Sequence, residues 1–350
     1  MFEFHFVAAG LTLLASFVGT LALRRYALAR QIIDTPNARS SHTVPTPRGG
    51  GVAIVLAYLA ALIFWWFHAG LASGLFWSLL LGGGLIAAVG FWDDHAQLPA
   101  GIRFAFHLLS AALAVFLLGG WPLLDLGGFV LHWGWLGHLC GVLLLAWAIN
   151  FYNFMDGIDG LAAAQAVFVA GAGGGLLVLS GSDGMPLWLL AAASCGFLLL
   201  NWPPARIFMG DAGSGFLGYA LAVHALHATT SGQMMLWPWL ILLGVFIVDA
   251  TLTLLRRAAR RIRVTDAHRT HAYQWASRRF GAHKPVTLAI LLINLFVLFP
   301  AALAAAALPH AALPITVGCL LGLGWLAWRF DAGVPETTRV SAPRGESTNV

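Results

Sequence analysis

The sequence predicts an all-α polytopic membrane protein with about eleven transmembrane helices. Three observations carry that prediction. Of 350 residues, 59% are hydrophobic and only 9% are charged, whereas a soluble domain carries roughly a quarter charged residues. The apolar stretches run about 18–22 residues and lack the alternation of polar and apolar side chains that a membrane β-barrel needs. The 19 Lys and Arg occupy alternate connecting segments only, as the positive-inside rule requires. A mean hydropathy of +0.81 agrees. This composition excludes a cytosolic enzyme, a disordered chain and a disulfide scaffold. Cys140, Cys195 and Cys319 sit singly in apolar runs, with no CxxC or Cys/His cluster. The net charge of +5 fits an anionic membrane surface better than nucleic acid, and no nucleic-acid partner is expected.

The spans lie near 4–23, 51–69, 72–92, 102–119, 134–152, 161–180, 186–202, 212–231, 236–255, 286–307 and 311–328. The first is long for the apolar region of a cleavable signal, begins with Glu3 rather than a cation, and is followed by Arg24 and Arg25. It reads as a helix with its N-terminus outside, in the periplasm. Every Lys and Arg follows an odd-numbered span: Arg48 after the first, Arg103 after the third, Arg206 after the seventh, the cluster from Arg256 to Lys284 after the ninth, and Arg329 after the last. Those segments are therefore expected to be cytoplasmic, and the outer ones, such as 120–133, are short and apolar. Residues 1–330 form one integral membrane domain. The polar segment 331–350 is expected to be a disordered cytoplasmic tail. His68, His132, His138, His224, His227 and His310 show no ligand spacing and read as interfacial side chains.

Six polar elements collect at the inner ends of these spans. Gly90-Phe-Trp-Asp93-Asp94-His95 closes the third, and adjacent carboxylates near hydrocarbon call for a cation. Asn153, Asp156 and Asp159, spaced by three, share a face if helical and suit a nucleotide or a hydrated Mg²⁺. Gly210-Asp211-Ala-Gly213-Ser214-Gly215 opens the eighth span, where backbone N–H groups and the helix dipole favour an anion. Asn201 and Arg206 precede it and could reach the same place. His268-Arg269-Thr-His271 lies in the largest loop. Two imidazoles one turn apart could hold a soft metal, but Arg269 between them favours phosphate. The loop from Asp34 to Gly51, shaped by Pro36, Pro45 and Pro47, carries Arg39, His42 and Arg48 and is electropositive. Asp249, inside the ninth span, needs a partner, for which Arg256 is a candidate. Acids for a metal, an anion site and cationic loops together call for a polyanionic, metal-bound substrate presented beside the bilayer.

Asp93-Asp94, Asn153-x-x-Asp156-Gly-x-Asp159-Gly160, Asn201 with Phe208-Met-Gly-Asp211-x-Gly-Ser214, and His268-Arg-x-His271 resemble, in order, the motifs of the polyprenyl-phosphate N-acetylhexosamine-1-phosphate transferases. The resemblance runs from residue 34 to about 274. Two positions depart from the lipid I-forming members of that family. Thr43, beside His42, stands where they carry Lys, and His268-Arg-Thr-His271 replaces three consecutive histidines. The loop Arg39-Ser-Ser-His42 through Arg48-Gly-Gly-Gly51 and the run ending Tyr273-Gln274 look more like enzymes that initiate O-antigen, using UDP-GlcNAc or a related UDP-sugar such as the GalNAc, FucNAc or QuiNAc derivative.

The resemblance implies transfer of N-acetylhexosamine-1-phosphate from the UDP-sugar to undecaprenyl or another polyprenyl phosphate. It implies Mg²⁺, or Mn²⁺, held by Asp211 with Asp94 and Asp156. Asp93, Asp94, Asp211 and His268 become the catalytic candidates, with Asp93 the candidate proton acceptor. Asn153, Asp156, Asp159, Asn201, Gly210, Ser214, Arg269, His271, His42 and Arg48 become the substrate-binding ones. The implied partners are the lipid, the nucleotide sugar and the inner membrane, with a homodimer left open. The competing reading is an inward-facing transporter or flippase of a phosphorylated anion. Such a protein would place its acids and helix breaks near the bilayer midplane.

Overall fold

The computed structural model describes residues 2–36, 44–96, 98–263 and 268–335. The described residues are almost wholly helical. α1 (Phe2–Ala29) leads through a short antiparallel pair, β1 (Ile33–Asp34) on β2 (Thr46–Pro47), into α2 (Gly51–Ala69). α3 (Ser73–Trp77) continues through a π turn into α4 (Gly84–Ala96), and α5 (Ala100–Leu117) follows. A second short pair, β3 (Leu124–Asp125) with β4 (Val130–Leu131), caps the opposite end of the bundle. Next come α6 (Gly134–Phe154), α7 (Leu161–Leu179), α8 (Met185–Asn201) and α9 (Asp211–Thr230). α10 (Leu236–Leu242) and α11 (Gly244–Ala259) are bent by 74°. α12 (Ala272–Phe280), α13 (His283–Ile293), α14 (Phe299–Ala307) and α15 (Ala312–Arg329) complete the chain.

Among the described residues eight helices are long and apolar enough to cross a membrane, or nine with the bent pair α10–α11 taken as one span. The chain is thus a multi-pass membrane protein. Each of the predicted apolar spans coincides with a helix or a consecutive pair of helices, but length and hydropathy support eight or nine spans among the described residues. α8 has only 17 residues. α9 has 20, but its glycines, two histidines and Asp211 make it too polar to face lipid. The reason is its position. α9 is buried without interruption from Ala212 to Leu226, wrapped by α2, α4, α6 and α7. A helix hidden from lipid does not need a lipid-like surface.

Small residues permit that enclosure, as is common where membrane helices approach closely. A Cβ on Gly51 of α2 would lie 2.5 Å from the Cα of Gly213 on α9. One on Gly90 of α4 would lie 2.5 Å from the backbone N of Ala212. These two crossings pin the start of α9 between α2 and α4. His224, read from sequence as interfacial, is instead buried in α9 and paired with the Tyr58 hydroxyl at 2.8 Å. The break between α10 and α11 is also satisfied internally. The Gln165 amide donates to the Leu242 carbonyl at 3.0 Å and accepts from Asn294 at 2.6 Å, because a free carbonyl in hydrocarbon is costly.

The polar tail also departs from expectation at its start. Ala332 is fully buried against Ala272 and Ala327, and the Gly333 N–H donates to the Thr270 carbonyl at 2.7 Å. Residues 331–335 are therefore packed, and the rest of the segment expected to be disordered lies outside the described residues.

Candidate active site

The site is organised around the first turn of α9. The residue before it, Gly210, has φ +79° and no side chain with which to cap the helix. Asp94, in the last turn of α4, caps it from outside. Its carboxylate accepts from the Asp211 N–H at 3.0 Å and the Ala212 N–H at 3.4 Å. A Cβ at position 210 would fall 2.6 Å from an Asp94 oxygen, so the conformation and the contact both select glycine. The N-terminal end of the helix dipole favours the carboxylate there.

Two arginines knit three carboxylates together. Arg48 Nη2 lies 2.8 Å from Asp94 Oδ1 and 2.7 Å from Asp211 Oδ1. Arg103 Nη1 lies 2.5 Å from Asp93 Oδ2 and 3.3 Å from Asp211 Oδ2. The other Asp93 oxygen accepts from the Leu98 N–H at 2.6 Å. Arg48 is positioned by backbone pairing of its loop with the segment before α9. Phe208 N–H donates to the Pro47 carbonyl at 2.8 Å, while Gly50 and Gly51 donate to the Phe208 and Met209 carbonyls at 2.9 Å. The glycine run after Arg48 thus lets two loops lie backbone to backbone.

The other predicted residues divide into those that face this cluster and those that shape it. Asn153, at the end of α6, donates to Ser214 Oγ at 3.0 Å, and that hydroxyl donates to the Gly210 carbonyl at 3.1 Å. Asp156 lies in the following loop, where burial pushes its carboxyl well above the usual range. Arg48 works against that shift, and Asp211, Asp94 and Asp159 add to it. Asn201 is committed within the protein. Its buried amide accepts from the Gly160 N–H at 3.0 Å and donates to the Ile207 carbonyl at 2.9 Å, tying the 155–160 and 202–210 loops together. Asp159 similarly accepts from the Ala205 N–H at 3.0 Å and lies 3.1 Å from His283 Nδ1. Both hold the site's shape rather than line its cavity.

His268 and His271 stack with ring centroids 5.1 Å apart. Burial pushes the His268 imidazole down to about 3, with His271 and Arg257 adding to the effect, so it is neutral at neutral pH. Arg269 is half-buried, and its carbonyl accepts from Arg278 at 3.0 Å. Asp249 pairs not with Arg256, as its spacing suggested, but with the start of α12. It accepts from the Ala272 and Tyr273 N–H groups at 2.8 and 3.0 Å and lies 3.4 Å from His271 Nδ1. It is the anchor of the histidine segment. His42 lies outside the described residues.

A cavity of about 840 Å³ joins these parts. Asp93, Asp211, Arg103, Asn153, His268 and His271 line its polar end, and Phe104, Leu143, Trp147, Ile149 and Leu254 line its apolar wall. Three contributors were not singled out in the sequence. Arg103 was read only as a topology charge. His107, one turn beyond it on α5, and Asn150, its neighbour at 3.3 Å, belong to none of the six polar elements. The signal existed, since Arg103 and His107 are four residues apart on one helix and so share a face. Among the described residues no three His, Cys, Asp or Glu side chains form a ready metal cage. The donors nonetheless suit a hard cation. Mg²⁺ is commonly held by one or two carboxylates, with phosphate oxygens and water completing its shell. The Asp156 carboxyl, which has no hydrogen-bond partner among the described residues, and the exposed side of Asp211 offer that kind of oxygen.

The glycosyl transferase family 4 profile matches residues 76–229, from within α3 through α9, which carry Asp93, Asp94, Arg103, Asn153 and Asp211 but not Arg48 or the histidine segment. A probable undecaprenyl-phosphate N-acetylglucosaminyl 1-phosphate transferase of Bacillus subtilis is 29% identical over 82% of this chain and 81% of its own length. The decaprenyl-phosphate N-acetylglucosaminephosphotransferase of Mycobacterium leprae is 31% identical over 81% of this chain and 78% of its own. A phospho-N-acetylmuramoyl-pentapeptide-transferase of Paenarthrobacter aurescens is 33% identical over 64% of this chain and 77% of its own. The motif order, the cluster at the head of α9 and this similarity across most of the chain converge: the protein belongs to glycosyl transferase family 4, among the polyprenyl-phosphate N-acetylhexosamine-1-phosphate transferases.

Proposed function

We propose that the protein transfers N-acetylhexosamine-1-phosphate from a UDP-sugar to polyprenyl phosphate, giving polyprenyl-diphosphate-sugar and UMP. The observation that carries this reading is the cavity itself. Its apolar wall meets Arg103, Asp93 and Asp211 at the head of a buried helix, and Arg48 pairs with Asp211 there. That geometry accommodates a prenyl chain with its phosphate at the polar end. A lipid phosphate oxygen forms the new bond to the β-phosphorus of the UDP-sugar. The bond from that phosphorus to the bridging oxygen breaks, and UMP leaves with the electron pair. A phosphate monoester loses its second proton near pH 6, so the nucleophile needs little base strength from the protein.

The main task is to bring two anions together in line. Arg48 and Arg103 offer guanidinium N–H groups to the phosphates while Asp94, Asp93 and Asp211 hold them in place. Asn153 and Ser214 orient the first turn of α9, and His268, Arg269 and His271 close the far side over the leaving phosphate. Mg²⁺, or Mn²⁺, held by Asp211 and Asp156 would neutralise charge on the diphosphate. Asp94, expected among the metal ligands, is read as a positioning residue because its side chain is 2% exposed, against 21% for Asp211, and its oxygens face the α9 amides and Arg48. By the same reasoning Asp93, engaged by Arg103 and Leu98, positions rather than accepts a proton.

The finer assignments rest on the relatives and on charge. The Bacillus and Mycobacterium relatives are named for N-acetylglucosamine, which favours UDP-GlcNAc as donor. The one-sided Lys and Arg support a site at the cytoplasmic face of the inner membrane, and the role proposed there is the first step of an O-antigen or related envelope glycan. The test is UMP release by purified protein given undecaprenyl phosphate, Mg²⁺ and a panel of UDP-N-acetylhexosamines. Release with one or more sugars, abolished by a chelator and restored by Mg²⁺, is expected. No UMP from any sugar would favour the transporter reading.

A further inference from the structure

The turn that follows α15 touches the histidine segment, and the contacts around it are specific. α15 ends at Arg329, and the chain turns back through Asp331, at φ +57°, to Gly333, at φ +72°. The Gly333 N–H donates to the Thr270 carbonyl at 2.7 Å. The Gly333 carbonyl accepts from Arg260 Nη1 at 3.0 Å. Ala332 beside it is fully buried. A Cβ on Gly333 would lie 2.7 Å from the Thr253 carbonyl oxygen and 2.9 Å from Arg256 Cβ, both on α11. The turn is thus wedged between α11 and the 268–271 segment. Thr270 carries the contact onward, because its hydroxyl lies 3.1 Å from His268 Nδ1 and its position fixes the spacing of the stacked imidazoles. Asp249 holds the other end of the same segment, through the α12 amides.

We infer that the turn 330–333 is a strap that sets the position of His268 in the cavity, with Gly333 as a positioning residue for the reaction. Residues 268–271 have no regular secondary structure ahead of α12. Asp249 holds the end of this segment, Gly333 its middle, and Arg278 the Arg269 carbonyl. Removing the Gly333 contact loosens the middle of the segment, at Thr270 beside His268, and lets the imidazole drift from the polar end of the cavity. A drift of about an ångström in a positioned group costs on the order of 10–100-fold in rate. The strap therefore makes the last transmembrane helix part of the site, although it contributes no side chain to the cavity.

The inference rests on the proposed transferase reading for its activity readout, so the experiment pairs activity with a structural measurement. Four proteins are compared in detergent: the full chain, a truncation after Pro335, a truncation after Arg329, and Gly333→Ala. Each is assayed for UMP release and for backbone hydrogen exchange over residues 268–280. The truncation after Pro335 is expected to match the full chain in both. The truncation after Arg329 and Gly333→Ala are expected to exchange faster over that segment and to lose at least roughly tenfold in turnover. A second comparison separates positioning from general damage. In a His268→Ala background, Gly333→Ala is expected to add little further loss, because the strap acts through that side chain. Wild-type exchange and turnover in the truncation after Arg329, or full additivity with His268→Ala, would overturn the strap. Absence of UMP from the full chain would instead overturn the transferase reading and leave the exchange measurement to decide the strap.

Discussion

Asp94 gives the sharpest test of how the head of α9 is built. Its carboxylate does two separable jobs: it caps Asp211 and Ala212, and it pairs with Arg48. A side-chain cap is worth about 1 kcal/mol, and Asn serves there about as well as Asp. The ion pair lies between two regimes. The Asp94 side chain is 2% exposed and the Arg48 side chain 34%. An exposed pair contributes about 0–1 kcal/mol, and breaking a buried one costs about 3–5. Because Arg48 keeps Asp211 at 2.7 Å, the loss falls near the low end, about 1–2 kcal/mol. Asp94→Ala should therefore destabilise by about 2–3 kcal/mol, and Asp94→Asn by about half that. For a chain of this size the first corresponds to a fall in melting temperature of roughly 3–4 °C. Thermal melts in detergent, read beside UMP release, measure both jobs. Turnover should fall at least roughly tenfold in each variant, because Arg48 loses one of the two carboxylates that aim it. If Asp94→Asn melts as low as Asp94→Ala, the capping argument is wrong. If Asp94→Asn turns over normally, the pairing argument is wrong.

Asp211→Asn should abolish UMP release while leaving the melting temperature close to wild type, since the amide can still accept from one arginine; normal turnover would remove Asp211 from the centre of the site. Gly157→Ala should be strongly impaired, because its Cβ would sit against the Tyr273 hydroxyl that bonds the Phe154 carbonyl. Adding Tyr273→Phe should restore part of the activity, and no rescue would show that the clash is not the cause. Asp156 predicts a pH dependence. Its folded carboxyl is raised above the ordinary 3.8, so the folded state binds the proton more tightly and this group's contribution to stability declines as pH rises through and above that value. Asp156→Asn should accordingly melt higher than wild type at neutral pH, with the difference shrinking as pH falls toward about 4. A difference that stays constant with pH would refute that assignment. His268 works in the opposite direction. Lowered from 6.5 to about 3, it disfavours the folded state as pH falls below the ordinary histidine range, and His268→Gln should remove that component from the acid limb of a stability–pH profile.

The membrane class, the helix positions and the polar residues that converge were legible because each leaves a local trace. A run of apolar residues must be helical in hydrocarbon, and acids are scarce enough here that each one at a helix end stands out. What the residues do with one another was not legible. Asp93 and Asp94 are neighbours in sequence, yet one faces Arg103 and the other caps α9. Asn153 and Asn201 look alike as amides, but one reaches the cavity and the other is buried between loops. Asp249 was given the wrong partner because Arg256 is near in sequence, whereas the amides of α12 are near only in space. Arg103 was missed because topology already explained its charge.

The sequence by itself determined that this chain crosses a membrane many times, that its helices begin and end where hydropathy and charge change, and which family motifs it carries. Those are properties of one-dimensional order: hydrophobic length, charge placement and spacing. Only the tertiary structure decided that α9 is a buried axis rather than another lipid-facing span, that its N-terminus is capped by a carboxylate from a distant helix, and that the end of α15 reaches the histidine segment. Each of those depends on which surfaces meet. Close glycine crossings and the need to satisfy every buried polar group fix those meetings in space, and neither is written in the order of residues.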